Sequence, residues 1–148
     1  MISVVQRCSQ ANVNVRGNTI GEIGIGFVVL LGIQKNDSVS DADYLVKKLS
    51  TLRIFSDSSE KMNLSIKDIE GSALVISQFT LCGDTRKGRR PSFVNAELPE
   101  KGKELYNYFL SRFKKEGIQI QTGEFGAMME VSLINNGPVT LILNSRDR

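Results

Sequence analysis

Seven residues limit the fold most: Phe27-Val-Val-Leu-Leu-Gly-Ile33 is an unbroken apolar run. A strand with one face in water alternates apolar and polar residues, so this run describes a strand covered on both faces. The other strand patterns surround it. Ile2 to Cys8 is rich in β-branched residues, and Val13-Asn-Val-Arg16 alternates. Asn12 to Ile23 reads as a hairpin closed at Gly17-Asn18. Further strands are expected at Leu52–Phe55, Ser72–Leu81, Ile118–Thr122, Glu130–Ile134 and Val139–Asn144, with Asn63 to Gly71 as loop. The last two strands are joined by Asn135-Asn-Gly-Pro-Val139, residues typical of a tight turn.

Two segments have helical spacing instead. In the first, Ser40 is a cap, Asp43 stands at the third position, and Val39 is placed to staple onto Tyr44. Ala42, Leu45, Val46 and Leu49 then form one apolar stripe. The second starts near Pro99, shows Leu105, Tyr108, Phe109 and Phe113 on one face, and ends at Gly117. The expected fold is α/β in a single domain, residues 1–148: a mixed, largely antiparallel β-sheet with two main helices packed on it. No apolar stretch is long enough for a transmembrane helix, and the first residues lack the order of a signal peptide. A soluble, cytoplasmic protein is expected.

The absences are as informative. The chain has no histidine, hence neither the commonest general base nor the commonest metal ligand. Its two cysteines, Cys8 and Cys82, form no C-x-x-C pair and read as half-buried thiols in strands. A Ser-His-Asp or Cys-His enzyme cannot be built from it, and no metal or cofactor is expected. Charge is concentrated in one place. The net charge is +3, yet Arg86, Lys87, Arg89 and Arg90 contribute four positive charges within five residues. Flanked by Thr85 and Ser92, this loop reads either as a solvated surface run or as a phosphate clamp.

Two further segments carry polar groups at strand ends. Ser77-Gln78-Phe79-Thr80 offers two hydroxyls and a carboxamide, though alternate residues facing water would look the same. Thr80 as a nucleophile would need a base that the chain does not provide as histidine. Gly137-Pro138, were it cis, would turn two carbonyls the same way and make an acceptor pair suited to an ammonium group; most X-Pro bonds are trans.

Ser77-Gln-Phe-Thr-Leu81 and Asn136-Gly-Pro-Val-Thr140 resemble the two signature motifs of the D-aminoacyl-tRNA deacylases. The resemblance extends over essentially the whole chain, through Val4-Val-Gln-Arg7, Gly21-Glu-Ile-Gly24, Asp84 to Phe93 and Gly123 to Met128. It implies hydrolysis of the ester between a D-amino acid and the terminal adenosine of tRNA, with glycyl-tRNA also accepted. It also implies a homodimer with active sites at the interface. Thr80, Ser77, Gln78 and Phe79 would form the catalytic segment. Gly137-Pro138, in cis, would enter the neighbouring subunit's pocket and exclude L-amino acids. Arg7 would support that loop, Phe125 and Met129 would line the site, and Arg86, Lys87, Arg89 and Arg90 would contact tRNA phosphates. Neither membrane nor DNA is an expected partner. The alternatives are a non-catalytic RNA-binding module and a hydrolase of small esters.

Overall fold

The computed structural model describes residues 1–147. Three strands open the chain: β1 (Ile2–Val15), β2 (Asn18–Ile23) and β3 (Gly26–Gly32). Helix α1 (Val39–Thr51) leads to a small antiparallel pair, β4 (Phe55–Ser56) with β5 (Met62–Leu64). Strand β6 (Ser72–Ser77) runs into a single 3-10 turn, Phe79–Cys82, and helix α2 (Pro99–Lys115) precedes β7 (Gln119–Thr122) and β8 (Glu130–Asn144). The main sheet has the order β2-β1-β3-β6-β7, with β8 on the other edge of β1. β3, β6 and β7 are parallel neighbours, whereas every pairing of β1 is antiparallel. This is the mixed α/β architecture that the sequence predicts. The sheet curls. Gly21 brings β2 so near β7 that a Cβ there would stand 3.0 Å from the Thr122 carbonyl oxygen.

β3 is covered on both faces, as its apolar run requires. Phe27, Val29 and Leu31 join Leu45, Leu49, Phe109 and Phe113 in the core beneath the helices. Val28 faces the opposite way, onto Val13, Ile23, Leu74 and Ile76. Both cysteines are free and buried. Burial pushes the Cys8 thiol up to about 11 and raises Cys82 as well, so neither is a thiolate at neutral pH.

Several local expectations change. The N-cap of α1 is Ser38, not Ser40; its N–H donates to Asp41 Oδ2 at 2.9 Å, the reciprocal arm of a capping box. Val39 therefore opens the helix instead of preceding it, and is half exposed. Asp43 accepts from Tyr108 Oη at 3.1 Å and Arg112 Nε at 2.8 Å, tying α1 to α2. The core position on α2 belongs to Tyr106, which donates to the Val75 carbonyl at 2.8 Å, while Tyr108 stays half-buried. The hairpin turn is Arg16-Gly17, both at positive φ, with Val15 opposite Asn18. The Leu52–Phe55 segment contributes only Phe55 to a strand, which continues to Ser56, and its partner β5 overlaps the start of the stretch expected to be loop, at Asn63 and Leu64. Cys82 belongs to the 3-10 turn, not to a strand.

Two corrections bear on function. The strand through Ser72 stops at Ser77, because the next residues turn across Gly32, where a Cβ would meet Leu81 Cβ at 2.9 Å and the Gln78 carbonyl at 3.0 Å. And β8 is one strand, not two joined by a turn. It pairs with β1 on both sides of a bulge in which Asn136 to Val139 stand opposite Arg7 alone.

Candidate active site

Where β6 ends, the 3-10 turn opens a cavity of about 550 Å³. Ser77, Gln78, Phe79 and Thr80 form one wall, and Phe125 and Met129 lie among the apolar residues of the rest. The family resemblance groups these six, and the fold brings them together at the cavity. The first bond within the turn runs from Leu81 N–H to the Gln78 carbonyl. The Gln78 N–H donates to the Leu31 carbonyl at 2.8 Å and so is not free for a ligand. Its side-chain amide donates to Thr80 Oγ1. The Thr80 hydroxyl thus accepts from Gln78 and keeps its own proton to donate.

The cavity also has residues that the sequence did not single out. Among the described residues, Glu97 is the only ionisable side chain that lines it. Its side chain is 9% exposed, and its carboxylate accepts from Lys101 Nζ and from Leu98 N–H, each at 2.9 Å. The Lys101 ammonium, first, and the Leu98 N–H hold Glu97 below the usual carboxylate range. A carboxylate so stabilised is a weak base. Only the i,i+4 spacing of Glu97 and Lys101 is visible in the sequence, and such pairs are common on helices.

Gly137-Pro138 does not line this cavity. The peptide is cis and stands exposed on the β8 bulge. Arg7 fastens its base: Nε donates to the Asn136 carbonyl at 2.8 Å and Nη1 to the Ile54 carbonyl at 2.6 Å. The Asn135 carboxamide closes the other side, accepting from Val139 N–H at 2.8 Å and donating to Thr140 Oγ1 at 2.9 Å. Gly137 has φ +135, and a Cβ there would stand 2.7 Å from Arg7 Nη2.

The basic loop leaves from the far end of the 3-10 turn. Asp84 and Ser92 pair through both backbone bonds, at 2.8 and 2.9 Å, and close it. Arg86 forks onto Asp84 with bonds of 2.9 and 2.7 Å. The Arg86 guanidinium pulls the Asp84 carboxyl down to about 2, so the pair is ionised at every working pH. One of the four cations is therefore already matched. Lys87, Arg89 and Arg90 have no ion-pair partner among the described residues.

Residues 4–144 match the family model described as D-Tyr-tRNA(Tyr) deacylase. The chain belongs to the D-aminoacyl-tRNA deacylase family. With the family comes the enzyme class, a D-aminoacyl-tRNA deacylase. Curated deacylases of the same name from Thermosipho melanesiensis and Koribacter versatilis are similar, 56% and 52% identical. Each match covers 99% of this chain and 98% of the relative. Among solved structures, that of the c-Myc DNA unwinding element binding protein is similar at 40% identity and a TM-score of 0.91, over 97% of this chain and 98% of that one. Among the described residues of this deacylase, no helix is long and apolar enough to cross a membrane.

Proposed function

We propose that this deacylase seats the terminal aminoacyl-adenosine of tRNA in the cavity beside Ser77–Thr80 and hydrolyses its D-aminoacyl ester, with glycyl esters as further substrates. The observation that carries the reading is the poverty of the cavity in bases. Among the described residues the lining has one ionisable side chain, Glu97, and that carboxylate is held in its charged form by Lys101. An aminoacyl ester is already an activated acyl group. Polarisation by the Phe79 and Thr80 N–H groups that open the 3-10 turn, with correct placement, is the protein's contribution. Thr80, oriented by the Gln78 amide, positions the ester or the attacking water. The ribose 2′-hydroxyl next to the ester relays the proton that no side chain is equipped to take.

L-Substrates are rejected from outside the cavity by Gly137-Pro138 of a second copy. Its support is that this segment is exposed and absent from the lining of its own chain's cavity. The active species on this reading is a two-fold homodimer working on tRNA in the cytoplasm, as chiral proofreading in translation. Lys87, Arg89 and Arg90 contact the tRNA phosphates, with Arg86 held partly in reserve by Asp84.

The test is a pair of measurements. D-Aminoacyl-tRNA ending in 2′-deoxyadenosine should bind normally but hydrolyse at least about 100-fold more slowly, the usual scale for loss of a proton-transfer partner. Thr80→Val should retain measurable turnover of the natural substrate. A dead Thr80→Val together with normal cleavage of the deoxy substrate would make Thr80 the nucleophile instead.

A further inference from the structure

Phe79 and Phe93 meet edge to face with ring centroids 5.0 Å apart. Both are exposed, 59% and 36%, and Val94 beside them is exposed as well. Core packing does not explain two aromatic rings left side by side in water. Their positions do. Phe79 lines the cavity, whereas Phe93 is not among the lining residues and directly follows Ser92, where the basic loop closes. The Phe93 ring lies close over Gly83, where a Cβ would meet Cε1 at 3.0 Å, so the chain holds the ring in place. An aromatic step thus leads from the cavity rim to Lys87, Arg89 and Arg90, three cations without ion-pair partners among the described residues.

We propose that the Phe79–Phe93 pair is a stacking platform for the unpaired nucleotide immediately 5′ of the terminal adenosine, whose following phosphates pass to the basic loop. The proposal rests on the reading that the cavity holds the aminoacyl-adenosine. Bases present an apolar face whatever their identity, and aromatic side chains beside a cationic track are how proteins hold single-stranded nucleic acid. A platform outside the cavity also suits an enzyme that must accept many amino acids. It grips the part of the substrate common to all tRNAs and leaves the aminoacyl group to the cavity.

Two substrates separate this role from others: a D-aminoacyl-adenosine, which has no second nucleotide, and a D-aminoacylated RNA hairpin with an unpaired 3′ end. Phe93→Leu keeps an apolar contact for Phe79 and Gly83 but removes the ring; Phe93→Trp keeps a ring. The hairpin's kcat/KM should fall roughly 5- to 100-fold in Phe93→Leu, the range for one lost base stack, and stay near wild type in Phe93→Trp. With D-aminoacyl-adenosine all three proteins should be equal. Unchanged hairpin cleavage by Phe93→Leu overturns the platform, as does an equal loss on both substrates or a Phe93→Trp variant no better than Phe93→Leu. Failure of the underlying reading looks different: filling the cavity with Ala127→Phe would leave the cleavage of both substrates at the wild-type rate.

Discussion

β3 and β8 are strands of one sheet, both paired to β1, yet they use apolar residues in opposite ways. In β3, Phe27, Val28 and Val29 are wholly buried, and each contact they need comes from the same chain. In β8, Ile134, Leu141 and Ile142 are exposed at 53%, 36% and 73%, although the strand is fully ordered along β1. Fold stability explains the first set and leaves the second unexplained. An edge strand of fifteen residues with exposed apolar side chains is also the surface that most readily accepts another copy. The bulge carrying Gly137-Pro138 lies in the middle of it. β3 therefore accounts for how this chain folds, whereas the exposed side chains of β8 bear on the proposed homodimer.

The comparison breaks most visibly in unfolding experiments. Phe27 is stacked between Phe55 and Phe113, with centroids 6.3 Å from each. Phe27→Ala should lower the unfolding free energy by about 3–5 kcal/mol, measured by urea titration. Ile142→Ala should change the stability of the single chain by no more than about 0.5 kcal/mol, as for an exposed side chain. Its effect should instead appear in the dissociation constant of the proposed dimer by ultracentrifugation, raised roughly tenfold or more if Ile142 is buried between copies. An unchanged constant would remove this part of β8 from the interface and leave its exposed residues without a role.

Gly137→Ala sharpens the comparison at the bulge. The family resemblance implies that Gly137 enters a neighbouring subunit's pocket, where a methyl would intrude, but the structure identifies a nearer conflict. At φ +135 any side chain is strained, and the new methyl would crowd Arg7 Nη2 and Val139 Cγ2, at 2.7 and 2.8 Å. The bulge should shift, with a stability cost of about 1–3 kcal/mol by thermal melting and a larger proportional loss in rejection of L-substrate. Arg7→Lys, which cannot bond the Asn136 and Ile54 carbonyls as a fork, should reproduce the loss of selectivity without crowding the glycine. Intact selectivity in both variants would place the selecting surface away from the bulge.

What could be read in advance follows the same division. Periodicity reports burial, so the apolar run of β3 and the stripe Ala42, Leu45, Val46, Leu49 are legible, and all of these residues except the half-buried Leu30 are buried as expected. Periodicity does not report where a ladder breaks. Ser72–Leu81 reads as one strand because Phe79 and Leu81 continue the apolar pattern, while the turn depends on Gly32, some forty-five residues away, leaving room for it. Asn135–Val139 reads as a tight turn for the same reason. Its composition suits a turn or a bulge equally, and only the opposed Arg7 on β1 decides between them. The grouping of Ser77–Thr80 with Phe125 and Met129 came from family resemblance. Glu97 was invisible, since a carboxylate becomes part of a cavity only once α2 is docked against the sheet.

The smallest expected effect concerns the basic loop, where sequence and structure differ by one charge. Counted along the chain, the run offers four cations to a polyanion; in the structure Arg86 is already engaged with Asp84. Because the Asp84 carboxyl is held at about 2, protonation cannot release Arg86 near neutral pH, and only a substitution can. Asp84→Asn keeps the side chain's shape and its backbone contacts but removes the charge that holds the guanidinium. If Arg86 then joins the phosphate contacts, the plot of log binding constant against log salt should steepen by about 0.7–0.9, the increment for one more phosphate contact. Arg86→Gln in the natural background should leave the slope almost unchanged, while Arg89→Gln should flatten it by a similar step. Equal slopes for Arg86→Gln and Arg89→Gln would mean that tRNA displaces Asp84 on binding, so that the loop engages its ligand with all four charges after all.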